Sequence, residues 1–203
     1  GWPTAGWPKK YGGLGFGPIE QGIFSEEMAY WGIRFWPGFM GYSLVGPVIL
    51  AVGTEEQKQR FVPPIARGEV LCFEAFTEPD AGSDEANVKL RAVPDGDHFV
   101  LNGQKTFISG SRQPDWLYTL ARTEDTIPKY RGLSLFMVPG DAPGITYRPL
   151  PTMGGSMQNE IFYDNVRVPK ENLIGQINMG FYHAMAPFEF ERAVIGQAAR
   201  KGL

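Results

Sequence analysis

The sequence predicts an α+β fold in three parts: an N-terminal helical segment, a middle antiparallel β-barrel or sandwich, and the start of a C-terminal helical bundle. Three observations carry that expectation. Helical signals fill the first third of the chain, the apolar period drops to two from Val70, and helical spacing returns after Asn178. The implied boundaries are a helical domain over 1–69, a β-domain over 70–177 and a truncated helical domain over 178–203.

Each element has a local reason. Pro18 suits the first turn of a helix that runs through Glu26, Glu27 and Met28 toward Ile33, since the first helical N–H groups have no partner to lose. A second helix covers 42–52, with Gly53 as its stop. Thr54-Glu55-Glu56-Gln57 has capping-box spacing and opens a third helix toward Phe61. Pro63-Pro64 should break that helix, and a short turn ends at Gly68. The apolar run from Val70 to Phe76 reads as a strand, Val93 to His98 as a turn and 99–101 as a strand. Asn102-Gly103 is the strongest hairpin signal, because tight hairpin turns favour residues that accept positive φ. Further strands are expected at 116–121, 133–138, 145–148 and 160–168, separated by Gly and Pro turns.

Bulk properties narrow the function classes. The 203 residues are 43% hydrophobic and 20% charged, enough apolar material for a buried core. A net charge of −3 without a cationic cluster argues against nucleic acid as the main partner. The longest mainly apolar stretch, 44–52, is too short to span a bilayer. Cys72 is the only cysteine, so no intrachain disulfide forms, and a reducing, cytoplasmic setting is expected (the mitochondrial matrix in a eukaryote). His98 and His183 are isolated, and no metal site is expected.

Thr77-Glu78-Pro79-Asp80-Ala81-Gly82-Ser83-Asp84 follows the Val70–Phe76 run and packs a proline, a glycine, two hydroxyls and three acids into one loop. By itself it reads as a plain turn or as a cradle where backbone N–H groups approach a phosphate or a planar heterocycle. Asn102 to Ser109 follows, then Val166-Arg167-Val168-Pro169-Lys170-Glu171-Asn172-Leu173-Ile174-Gly175, then Phe188-Glu189-Phe190-Glu191-Arg192. In this order, with Trp7 to Gly15 before them, the segments resemble the acyl-CoA dehydrogenase family of flavoenzymes over essentially the whole chain.

The resemblance implies FAD as cofactor. Glu74, Ala75, Phe76, Thr77, Gly82 and Ser83 match the first flavin segment, with backbone groups around Phe76 and Thr77 at the pyrimidine edge. Ser83 also matches a serine near the bound thioester. Phe107, Ile108 and Ser109 match a segment that commonly reads Trp-Ile-Thr, where the aromatic covers the ring system and the hydroxyl reaches N5. Read without the upstream loop, Phe107 and Ile108 are ordinary strand core.

Near the end, Ala184, Pro187, Phe188, Glu191, Val194, Ile195 and Ala198 recur at helical spacing, so Glu191 is the one acid on an apolar stripe. Burial disfavours a carboxylate's charged form, which suits a general base. A solvated or ion-paired helix residue is the plainer reading, since Glu189 and Arg192 stand three apart beside it. The resemblance implies Glu191 as catalytic base, as in one branch of the family, and Glu189 and Arg192 as acyl-CoA contacts. It further implies α,β-dehydrogenation of a fatty acyl-CoA, an electron-transfer flavoprotein as acceptor, and a homo- or hetero-oligomeric dimer or tetramer. An oxidase or flavin monooxygenase on the same fold and a non-catalytic subunit are the rivals, while a carbohydrate-binding sandwich would leave the Glu-Arg helix unexplained. The chain begins at Gly1 and stops within a helical pattern, and family members are roughly twice as long by resemblance, so a fragment is expected.

Overall fold

A computed structural model describes residues 2–33, 38–110 and 112–185. The chain divides into two compact units between Leu71 and Cys72, the second running to Ala184.

The first unit is helical. Helix α1, Pro18–Tyr30, starts with its proline in the first turn. It stops before Ile33 because Gly32 takes φ 66°, while Ile33 N–H returns to Met28 O and Gly32 N–H to Ala29 O. A π-helical turn at Gly41–Val45 leads into α2, Gly46–Val52. Gly46 admits the Trp7 indole, whose ring a Cβ there would overlap. Helix α3, Glu55–Arg67, opens on both bonds of the capping box: Gln57 N–H to Thr54 Oγ1 at 3.2 Å, and Thr54 N–H to Gln57 Oε1 at 3.0 Å.

Pro63-Pro64 does not break α3, contrary to the sequence expectation; both prolines lie inside it. The buried face, Phe61, Val62, Ile65 and Ala66, straddles them, so packing outweighs the two missing N–H donors. The stop is Gly68 at φ 69°, with Glu69 N–H on Pro64 O.

The second unit is one eight-stranded sheet: β1 Cys72–Ala75, β2 Arg91–Asp95, β3 His98–Ser109, β4 Trp116–Arg122, β5 Leu133–Pro139, β6 Ile145–Pro151, β7 Met157–Pro169 and β8 Leu173–Ile174. Its main path runs β6-β7-β3-β2-β4-β5-β8, and β1 pairs with β4. The α+β expectation holds, with two corrections. The sheet is open rather than closed into a barrel, and it is not purely antiparallel: β1 runs parallel to β4 over Trp116–Thr119, and β2 joins β4 in parallel through Arg91 and Arg122. A strand arriving from a separate helical unit needs no hairpin, so a parallel partner is open to it.

Asn102-Gly103 is not a hairpin turn. The turn is Gly96-Asp97, closed by the Asp95–His98 pair, so Val93 and Pro94 belong to β2 and β3 runs unbroken past Asn102. Asn102 instead marks a bulge in the opposite strand. Between the Leu101–Val166 and Gly103–Tyr163 pairs β7 carries one extra residue, and Asn165 there takes φ 53°. Asn102 Oδ1 accepts from Asn165 N–H at 2.8 Å, and Gly103 lets the backbone approach Leu90. Helix α4, Gly180–Met185, closes the described chain. Among the described residues no helix is long and apolar enough to cross a membrane.

Candidate functional site

The candidate ring site forms where the exit of β1 meets the far end of β3. Ala75 pairs with Thr119 on β4, and the chain leaves the sheet at Phe76 and Thr77. Thr77 O accepts from Thr106 N–H at 2.9 Å, so the first candidate segment lies against the residue before Phe107. A second bulge then shapes β3. Between the Lys105–Ile161 and Ile108–Asn159 pairs β3 has the extra residue, and Phe107 takes φ 58°. A left-handed aromatic residue is uncommon and strained. The strain turns its ring outward: Phe107 is 59% exposed, while Ile108 is buried. Asn159 pins the strand beyond the bulge, donating from Nδ2 to Gly110 O at 2.9 Å and Ile108 O at 3.2 Å.

The remaining candidates divide by burial. Ala75, Phe76 and Ile108 are buried, so only their backbones can face a ligand; the Phe76 ring lies 5.3 Å from Tyr118. Glu74 is half-buried on β1 opposite Tyr118. Ser109 is exposed and pairs with Gln158. Gly82 and Ser83 stand exposed farther along the loop, and a Cβ at Gly82 would meet no atom of this chain. Glu189, Glu191 and Arg192 lie outside the described residues.

The motif reading missed the groups that hold this loop. Lys105, 0% exposed, donates from Nζ to Phe76 O and to Glu78 Oε1, both at 2.8 Å. Glu78 accepts two more bonds, from Leu90 N–H at 2.9 Å and Lys89 N–H at 2.7 Å. Burial pulls the Lys105 ammonium down to about 8, with Glu78 opposing, so it remains protonated at neutral pH. Arg122 grips the next stretch, donating from Nε to Val88 O at 2.8 Å and from Nη2 to Ala86 O at 2.7 Å. A signal for Lys105 was present: it shares strand parity with the buried Phe99 and Leu101, and an inward lysine needs a carboxylate.

The surface offers a flat apolar ring at Phe107, hydroxyls at Ser83 and Ser109 with no partner among the described residues, and an open loop at Gly82. This donor set fits a planar heterocycle with a polar edge. The pocket between Glu78–Asp80, Lys89–Leu90 and Gly103–Gln104 holds about 220 Å³. Enclosed ligand sites span roughly 300–1,000 Å³, so a cofactor of flavin size would lie over the open surface instead.

Two family models match the chain. The acyl-CoA dehydrogenase N-terminal domain matches residues 1–69 and the middle domain residues 72–166. The chain belongs to the acyl-CoA dehydrogenase family. Acyl-CoA dehydrogenase FadE29 of Mycobacterium tuberculosis is 39% identical over 96% of the chain and 50% of its own length. The solved Tcur3481-Tcur3483 steroid ACAD is 38% identical with a TM-score of 0.89, covering 98% of this chain and 51% of that one. Butyryl-CoA dehydrogenase from Megasphaera elsdenii is 29% identical with a TM-score of 0.84, covering 98% and 54%. The chain thus spans about half the length of the relatives it matches.

Proposed function

We propose that the chain supplies the flavin platform of an FAD-dependent acyl-CoA dehydrogenase, which converts an acyl-CoA thioester to the 2-enoyl-CoA. The observation that carries the reading is the Thr77 O–Thr106 N–H bond, which joins the two flavin segments beside the outward Phe107 ring. FAD, when bound, would supply the hydride acceptor for the β-hydrogen. Phe107 would cover one ring face, the backbone at Thr77 would meet the pyrimidine edge, and the Ser109 hydroxyl would reach N5. Ser83 lies on the thioester side. Glu191 takes the α-proton, with Glu189 and Arg192 against the acyl-CoA. Electrons leave to an electron-transfer flavoprotein, and the chain works within a homo- or hetero-oligomeric dimer or tetramer. A fatty acyl thioester is the first substrate to try; a steroid-linked thioester is the second, supported by the similarity to a steroid ACAD.

A visible spectrum of the purified chain with FAD tests the reading. A bound-flavin spectrum that bleaches anaerobically on adding acyl-CoA supports it, and FAD that stays free in equilibrium dialysis sinks it. Glu191→Gln should slow bleaching by at least about 10²-fold, the lower range of general-base catalysis. Bleaching within a few-fold of the unsubstituted protein would remove Glu191 from that role.

A further inference from the structure

The two peptides around Thr77 have four hydrogen-bonding groups, and the chain itself satisfies three. Phe76 O accepts from Lys105 Nζ, Thr77 O from Thr106 N–H, and Glu78 N–H donates to Ala81 O at 2.8 Å. The Thr77 N–H has no acceptor among the described residues. In a trans peptide the C=O and N–H point in opposite directions. Lys105 therefore holds the Phe76–Thr77 peptide from its buried side and aims the one unused donor away from itself.

We propose that Lys105, seated by Glu78, is a positioning residue for the flavin: it orients the Phe76–Thr77 peptide and strengthens Thr77 N–H as a donor to the ring's polar edge. The inference rests on the flavin reading above. A cation on a peptide's carbonyl polarises the whole unit, and hydrogen bonds in such a chain reinforce one another, more so away from water. The effect is larger for the electron-rich reduced ring than for the oxidised one. Glu78 keeps the ammonium in register, because its carboxylate is fixed by the Lys89 and Leu90 backbone. A plain structural staple would also be buried, but it would not discriminate between redox states of a ligand.

Lys105→Met alone strands a buried carboxylate and can unfold the chain, so the working variant is Lys105→Met with Glu78→Gln, whose amide oxygen still accepts from the Leu90 or Lys89 N–H. FAD binding is titrated by fluorescence quenching, and the two-electron midpoint of bound FAD is read from its spectrum. The double variant should bind oxidised FAD about tenfold more weakly and the reduced form about a hundredfold more weakly. That tenfold differential lowers the midpoint by about 30 mV. A folded double variant with FAD affinity within threefold and an unchanged midpoint overturns the proposal. Wild-type chain needs no substitution for a second measurement: adding FAD should slow exchange of the Thr77 amide, and an unmoved Thr77 amide in a chain that binds FAD also overturns it. Wild-type chain that binds no FAD at all brings down the flavin reading itself, a separate outcome.

Discussion

Strand β3 contains two halves built by different rules. From His98 to Leu101 it obeys the period of two, with Phe99 and Leu101 in the core and the β2 hairpin fixing its register. From Gly103 to Ser109 the alternation fails: Lys105 and Thr106 are both buried, and Phe107 faces out. A left-handed residue stands at each end. Gly96 adopts φ 60° at no steric cost, whereas Phe107 holds φ 58° against its own Cβ. One half is arranged for stability. The other tolerates strain where the candidate cofactor surface lies, as functional sites commonly do.

The contrast breaks most sharply at Phe99. Phe99→Ala removes a ring packed 5.0 Å from Phe136 and should cost about 3–5 kcal/mol in urea unfolding. Phe107→Gly reverses the pattern. It relieves a conformation worth about 1–2 kcal/mol while adding about 0.5–1 of chain entropy, so the fold should hold or gain up to about 1.5 kcal/mol. FAD affinity should meanwhile fall, because ring stacking of this kind contributes about 1–3 kcal/mol. Unfolding and FAD titration on the same sample check both signs; a destabilised Phe107→Gly that keeps its FAD would erase the distinction. Gly96→Ala is the smallest change, a loss of about 1 kcal/mol from forcing a Cβ into the left-handed turn, with FAD binding untouched.

Local chemistry made much of this legible. The Thr54 capping box, Gly53 and the strand runs at Trp116 and Leu133 each announce themselves within a few residues. What failed depended on partners far along the chain. Asn102-Gly103 has the composition of a turn, but its conformation is decided by Asn165, 63 residues away. Pro63-Pro64 should end a helix on local grounds, and burial of Phe61 and Ile65 overrules that. At the site, the loop and the Phe107 segment were readable as motifs, and the resemblance placed both on one cofactor. Their joining through Lys105, Glu78 and Arg122 was not: strand parity turns Lys105 inward but names no partner, and a lone arginine on a strand ordinarily faces water.

Cys72 turns the first strand into its own alarm. Its thiol lies 1% exposed at the start of β1, and burial pushes it up to about 12, with the Asp115 charge adding to the effect. At pH 8 about one such thiol in ten thousand is ionised, against roughly a quarter for a free cysteine. A thiol-directed dye should therefore ignore the intact chain and label it only when β1 opens. Four residues on, just past the end of that strand, the Phe76 carbonyl accepts from Lys105. The labelling rate, with and without FAD, would clock how often the platform comes apart in solution, with no engineered probe.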